Sequence, residues 1–319
     1  MTTLKVAFLW IPYFKESIFI HLIKKLSKKK IEIVAPKDSD LLFIGVYDFF
    51  TLKRHCYNFF KKKIFNPEKY YPNLDLYLFN RKNTPIRIFY STDNIRWDTI
   101  KSDFSISSDL GVENKNHLRF PVWKNFIDWS NNGIYQENPH QKRFGTYYNI
   151  EDLIKPQGSD FINKKKNICF FTSHLIEPRK SIYNFLSTRI TIDGYGPYFD
   201  KNIKNHNKSK FKKIEIMKNY AFNLCPENSL YPGYYCEKVP DAFIAKCLPI
   251  TWADNNISQD FNEKSFINLI NYTENNYKDI CELLKDDIFL KKFSDQPLLL
   301  KKPNLEKEEE FIQKIISSL

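Results

Sequence analysis

The chain has 319 residues, 16% of them aromatic, and a formal net charge of +12. That length exceeds one ordinary hydrophobic core, so two domains are expected, each with ample aromatic material to bury. No apolar run is long enough for a spanning helix, and lysine-rich solvated faces explain the charge more simply than a dedicated nucleic-acid surface.

In chain order, Lys5–Ile11 predicts a buried strand, with no small-residue cleavage pattern after it to suggest a leader. Ser17–Leu26 predicts a helix, and Ile31–Val34 and Leu41–Val46 predict further strands. Asp38-Ser39-Asp40 precedes the last of these and reads as a turn rather than a metal-binding DxD. Asp75–Phe79 alternates weakly as a strand. Arg87–Tyr90 predicts a strand followed by Ser91-Thr92-Asp93-Asn94, where an acid at a strand end serves equally as a turn or helix cap. Strands interleaved with helices imply parallel sheets, so this half is expected to be Rossmann-like. Trp123, Phe126 and Trp129 recur at roughly helical spacing, and core packing accounts for at least one of them better than a sugar platform does. A polar stretch ending in Lys164-Lys165-Lys166 sets the expected boundary, giving domains at 1–160 and 161–300 and a C-terminal helix at 301–319.

The second half opens with a predicted strand at Ile168–Thr172, a polar loop and a helix at Ser181–Leu186 with Arg179 at its entrance. A guanidinium there adds forked donors to N–H groups already aimed at an anion. Ile190–Asp193 predicts a strand entering Gly194-Tyr195-Gly196, where paired glycines permit a tight turn or close backbone approach. Residues 197–213 read as a lysine- and asparagine-rich loop. Tyr220–Cys225 is a short buried strand stopped by Pro226, which puts Glu227, Asn228 and Ser229 at its carboxyl end, where open α/β sheets hold ligands. Glu237–Cys247 has helical spacing, with Val239, Phe243 and Cys247 on one side and Pro240 tolerated in the first turn. Leu248–Trp252 is another buried strand. Leu305–Leu319 predicts an amphipathic helix with Phe311, Ile315 and Leu319 on its apolar face.

The six cysteines form no CxxC pair, which is the usage of reduced, cytoplasmic thiols. The histidines show no metal-ligand spacing, and there is no GxSxG, P-loop or internal repeat.

Cys225-Pro226-Glu227-Asn228, Tyr234-Tyr235-Cys236-Glu237-Lys238 and Pro249-Ile250-Thr251-Trp252 occur in order, followed by Asp260-Phe261-Asn262 and Lys264-Ser265-Phe266. This series resembles the family 10 glycosyltransferases, the α-1,3/4-fucosyltransferases, and above all their bacterial branch. It departs at Pro226, where the family has Phe, and at Cys236, where it has Thr. Further upstream, Phe89-Tyr90-Ser91-Thr92-Asp93-Asn94 is similar to the bacterial Phe-Tyr-Thr-Gly-Glu-Asn, whose glutamate is the proposed general base. Asp93 inherits that role by position with a side chain one methylene shorter, and Asp98 is the substitute. Arg119 and Pro121 fit a Leu-Arg-x-Pro passage, and Arg179 with Tyr183 reproduces an arginine and tyrosine at a helix start.

The resemblance implies two Rossmann-like α/β domains facing a cleft, of the glycosyltransferase-B type, with the donor in the C-terminal domain. It implies GDP-fucose as donor, a Gal/GlcNAc-type surface glycan such as lipopolysaccharide as acceptor, and an α-1,3 linkage. Inverting transfer needs a carboxylate to take the acceptor proton and cations to balance the leaving diphosphate. Asp93 and Glu237 are the expected catalytic carboxylates. Arg179, Tyr183, Gly194, Gly196, Glu227, Asn228, Tyr234, Glu237 and Lys238 are expected to hold the donor, Glu227 either as a sugar contact or as a partner for the basic residues. Glu237 and Lys238 point about 100° apart on a helix, so they should touch different parts of it. With two cations on the diphosphate, no metal or other cofactor is obligatory. The expected location is the cytoplasm, with peripheral association at the inner membrane face and no nucleic-acid partner. Another GDP-deoxysugar as donor, or a non-catalytic polyanion-binding protein, are the rival readings.

Overall fold

A computed structural model of the chain describes residues 2–11, 17–46, 84–135, 147–200, 213–272 and 277–319. The chain divides into two compact units: Met1–Phe120, Trp129–Asn138 and Leu305–Leu319 form the first, Pro121–Asp128 and Pro139–Asn304 the second. Asp75–Phe79 and Cys56 lie outside the described residues. Among those described, no helix is long and apolar enough to cross a membrane.

The first unit is a six-stranded, all-parallel sheet. Its strands are β1 (Thr3–Leu9), β2 (Lys30–Ile33), β3 (Leu41–Ile44), β4 (Ile86–Tyr90), β5 (Phe104–Ser107) and β6 (His117–Arg119), in the order β2-β1-β3-β4-β5-β6. Burial follows that order: every residue of β3 is buried, whereas β2, at the edge, is largely exposed. This is why β3 reads as an uninterrupted apolar run. Helix α1 (Ile18–Ser27) carries β1 over to β2, burying Ile18, Phe19, Ile20, Leu22 and Ile23 and ending at Lys28 in the left-handed region, φ 54°. Phe19 meets Phe120 and Tyr90 edge-on at 4.9 and 5.4 Å. Asp40 behaves as the turn reading expects: its carboxylate accepts from Lys5 N–H at 2.8 Å, so the acid is spent on holding β1.

The C-terminal helix, Glu306–Ser317, belongs to this unit. Phe311 stands perpendicular to Phe104 at 5.7 Å, and Glu309 pairs with Lys25 at 2.8 Å. Phe311, Ile312 and Ile315 are buried. Leu319, expected on that face, is 49% exposed because the helix ends before it.

The second unit is a five-stranded parallel sheet in the order β11-β10-β9-β7-β8. It comprises α2 (Ile150–Leu153), β7 (Lys165–Phe171), α3 (Arg179–Ser187), β8 (Ile192–Tyr195), α4 (Lys213–Met217), β9 (Tyr220–Leu224), α5 (Lys238–Ile244), β10 (Leu248–Thr251), β11 (Ile267–Asn268), α6 (Tyr277–Leu283) and α7 (Asp287–Ser294). The two faces of β7 feed different cores. Ile168 and Phe170 pack with Ile182 and Leu186 of α3, while Cys169 packs with Met217, Ala242 and Cys247 on the other side. That alternation is the period-2 geometry of a strand buried on both faces. Both units are therefore Rossmann-like α/β layers. Trp123 is buried against Phe261 at 5.4 Å, and Trp129 is fully buried in the first unit, so both tryptophans serve cores.

Candidate active site

In the second unit β7 runs outward to β8, and the chain then returns to place β9 on the other flank of β7. The strand order reverses between β7 and β9, and ligands of open α/β sheets bind beyond the carboxyl ends of strands at such a point. The loop after β7 carries Arg179, and the loop after β9 carries Glu227 and Asn228. Sequence spacing alone does not give this adjacency.

Pro226 fits because of how a parallel ladder is read. Cys225 N–H donates to Ile250 O at 2.8 Å and Glu227 N–H to Trp252 O at 3.0 Å, so the intervening residue has no ladder donor to supply. Glu227 is completely buried. Its Oε1 accepts from Cys236 N–H at 3.0 Å, and its Oε2 from the Cys236 thiol at 2.8 Å and from Lys238 Nζ at 3.0 Å. Glu227 is thus a counter-ion within the protein and not an exposed sugar contact. Lys238 Nζ also donates to Pro226 O at 2.9 Å and Asn228 Oδ1 at 3.1 Å. Burial works against charge on Lys238, but the carboxylates around it, Glu227 and Glu237, more than offset that and raise its pKa. Burial, then Glu227, pushes the Cys236 thiol well up, so it stays protonated as a donor.

Asn228 is exposed and its amide donates to Tyr234 Oη at 3.3 Å. Arg179 occupies the first position of α3, half-buried, with Nη1 3.5 Å from Thr172 Oγ1. Its Nε is buried without a hydrogen-bond partner among the described residues. Burial lowers the guanidinium pKa, with Tyr234, Glu227 and Cys236 pulling the other way. Those influences put Arg179 in the same electrostatic neighbourhood as the Glu227–Lys238 pair. Glu237 precedes the first turn of α5, and no side-chain cap bond is formed there.

The other expected donor residues have local duties. Tyr183 stacks on Phe170 at 5.8 Å and meets Phe199 at 5.6 Å. A Cβ on Gly194 would lie 2.5 Å from the Phe199 ring, and one on Gly196, φ +99°, 2.7 Å from Thr172 O. The close approaches these glycines permit are to protein atoms of the loops framing the site.

In the first unit, Asp93 lies just past β4 in a turn where its N–H donates to Ser91 Oγ at 3.2 Å. It stays in contact with solvent, yet the protein mass around it desolvates the carboxyl and raises its pKa. Asp98 is exposed. The loop between them is pinned by buried Asp109, which accepts from Trp97 N–H at 2.7 Å and pairs with Arg96. Sequence reasoning passed over Asp109, and also a buried trio in the second unit, Tyr148, Lys213 and Asp241. The only linear signal for the trio is an acid inside the apolar run of α5.

The family model described as glycosyltransferase family 10 (fucosyltransferase) C-terminal matches residues 161–293. The α-(1,3)-fucosyltransferase FucT of Helicobacter pylori is 24% identical over 220 residues, which is 62% of this chain and 43% of that protein. This chain therefore spans less than half the length of that curated relative. A crystal structure of an α1,3-fucosyltransferase with GDP-fucose superposes with a TM-score of 0.63 at 19% identity, covering 99% of this chain and 91% of that one. Another, of an α1,3-fucosyltransferase, gives 0.66 at 20% identity, covering 99% and 90%. The likeness in fold is that of a glycosyltransferase-B protein with two Rossmann-like units. Over residues 161–293, the C-terminal part of this chain is thus similar to the C-terminal domain of glycosyltransferase family 10.

Proposed function

We propose that this protein is an inverting fucosyltransferase that moves fucose from GDP-fucose to a hydroxyl of a Gal/GlcNAc-type surface glycan, forming an α-1,3 linkage. The observation that carries the reading is Arg179, a half-buried guanidinium at the reversal point of the second sheet whose Nε lacks a partner among the described residues. Such a group suits a diphosphate, which can take both the guanidinium fork and the α3 N-terminus.

In the reaction, the acceptor oxygen bonds to the anomeric carbon while that carbon's bond to the β-phosphate oxygen breaks. The electron pair leaves on GDP and the hydroxyl proton passes to a carboxylate. Asp93 is the proposed base, supported by its strand-end position and its raised pKa, which makes a carboxylate a better proton acceptor. Arg179 and Lys238 balance the charge growing on GDP, so no divalent ion is required. Lys238 can exchange its exposed partner, Asn228, for a phosphate oxygen while Glu227 keeps it charged. Glu237, uncommitted to a cap, is left for ribose or fucose hydroxyls.

Calorimetric titration with GDP-fucose and other GDP-sugars, paired with a transfer assay on Gal/GlcNAc-type acceptors, tests this. Tightest binding and turnover with GDP-fucose is the expected result. A preference for another GDP-deoxysugar would move the donor assignment. No GDP-sugar binding, with salt-sensitive binding to polyanions instead, would make the protein a polyanion binder. The proposed location is the cytoplasm at the inner membrane face, in keeping with the buried, unbridged Cys169, Cys225, Cys236, Cys247 and Cys281.

A further inference from the structure

We infer that Asp241, with Tyr148 and Lys213, is a positioning centre for the donor site, fixing the start of α5 so that Glu237 and Lys238 are presented in one orientation. This rests on the reading of Lys238 as a donor contact. Three segments far apart in sequence converge on one carboxylate. Lys213, from α4, donates to Asp241 Oδ2 at 2.6 Å. Tyr148, just before α2, donates to Asp241 Oδ1 and lies 3.2 Å from Glu237 O. That same Glu237 carbonyl accepts the Asp241 N–H at 2.8 Å, closing the first turn of α5. The Tyr148 hydroxyl therefore touches both ends of that turn. Asp241, Lys213 and Tyr148 are 2%, 8% and 4% exposed, so water does not compete for these bonds.

An ion pair so deeply buried is a poor way to gain stability, because well-packed apolar residues of similar volume are often as good or better. Directional bonds do what apolar packing does not: they set the rotation and axial position of α5. Burial opposes charge on both partners: Asp241 overrides it for Lys213 and raises the lysine pKa, while burial raises the Asp241 pKa against the pull of Lys213, so each group depends on the other for its charge. The helix start it fixes carries Lys238 next to the Arg179 neighbourhood. A displacement of about 1 Å there is enough to cost a large part of binding or rate.

The tests are Tyr148→Phe, which removes one hydroxyl and keeps the ring, and the double variant Lys213→Met with Asp241→Leu, which replaces the ion pair by apolar volume. Thermal midpoint, the GDP dissociation constant, kcat and KM are measured for each, with Lys238→Ala as reference. Expected are folded proteins with midpoints near that of the parent and GDP dissociation constants raised about 10-fold in the double variant, less in Tyr148→Phe. Parent-like GDP affinity in a folded double variant would overturn the inference while leaving the donor site intact, provided Lys238→Ala weakens GDP. Should Lys238→Ala bind GDP as the parent does, the site reading fails and this inference with it. If both test variants unfold, the network is a stability device and the inference is wrong.

Discussion

Arg179 holds a cation where burial penalises it and where one donor nitrogen goes unmatched. A buried unsatisfied donor costs stability in the empty protein, and hydrogen bonds to charged groups are worth about 1.5–3 kcal/mol when made. Arg179→Ala should therefore weaken GDP binding by roughly 10- to 100-fold while leaving the thermal midpoint unchanged or slightly higher. Calorimetry and a melting curve on one preparation check both halves, and parent-like affinity would remove Arg179 from the diphosphate. Asp93 makes the complementary case for a carboxylate. Its pKa is raised by desolvation from the protein around it although the side chain still meets solvent, so the folded state binds the proton more tightly than the unfolded chain does. Stability contributed by this group consequently grows as pH falls through the raised value and is absent well above it. A base must be ionised, so kcat/KM should decline with acidification through a pKa raised above the usual aspartate value. Asp93→Asn should abolish that acid limb and most of kcat without lowering the midpoint or GDP affinity. If Asp98→Asn removes the limb instead, the base lies there.

Strands and helices announced themselves wherever the chain runs apolar between polar breaks, as at Leu41–Ile44 and Tyr220–Leu224, where every residue is buried. The Glu227–Asn228 loop and the Glu237–Lys238 helix start were legible for the same reason, since polar groups cut abruptly into core-forming sequence. What the linear pattern withheld is pairing. The β7–β9 adjacency that sets Arg179 beside the β9 loop depends on strand order, and which of Glu227's two readings holds, sugar contact or partner of a basic residue, is decided only by the bonds its carboxylate accepts from Cys236 and Lys238. The convergence of Tyr148, Lys213 and Asp241 is invisible for the same reason. The turn after β8 shows how a local rule still decides an element. Gly196 adopts φ +99°, and a Cβ there would sit 2.7 Å from Thr172 O, backbone that cannot step aside. Gly196→Ala is therefore expected to strain both this turn and the end of β7, costing about 1–3 kcal/mol. Chemical denaturation measures the loss; a variant as stable as the parent would mean that the turn relaxes and the glycine is not required.

The two units are not consecutive halves of the chain, because the last helix is built into the first unit after the second has been completed. Glu306–Ser317 lies against α1 and β5, with Phe311 on Phe104, Glu309 on Lys25, and Lys314 Nζ donating to Asn116 Oδ1 at 2.8 Å. The exposed charge contacts contribute little, and the buried Phe311, Ile312 and Ile315 contribute most. A unit whose final core element arrives from the end of the chain cannot finish packing on its first 120 residues alone. Phe311→Ala should thus destabilise the first unit by about 3–5 kcal/mol, the cost of deleting a buried phenylalanine. Glu309→Ala, which removes only an exposed pair, should cost less than about 1 kcal/mol. Amide exchange followed by mass spectrometry locates the effect: in Phe311→Ala, protection should fall in α1, β5 and β6. Unchanged protection there would show that the helix rests on the first unit without completing its core.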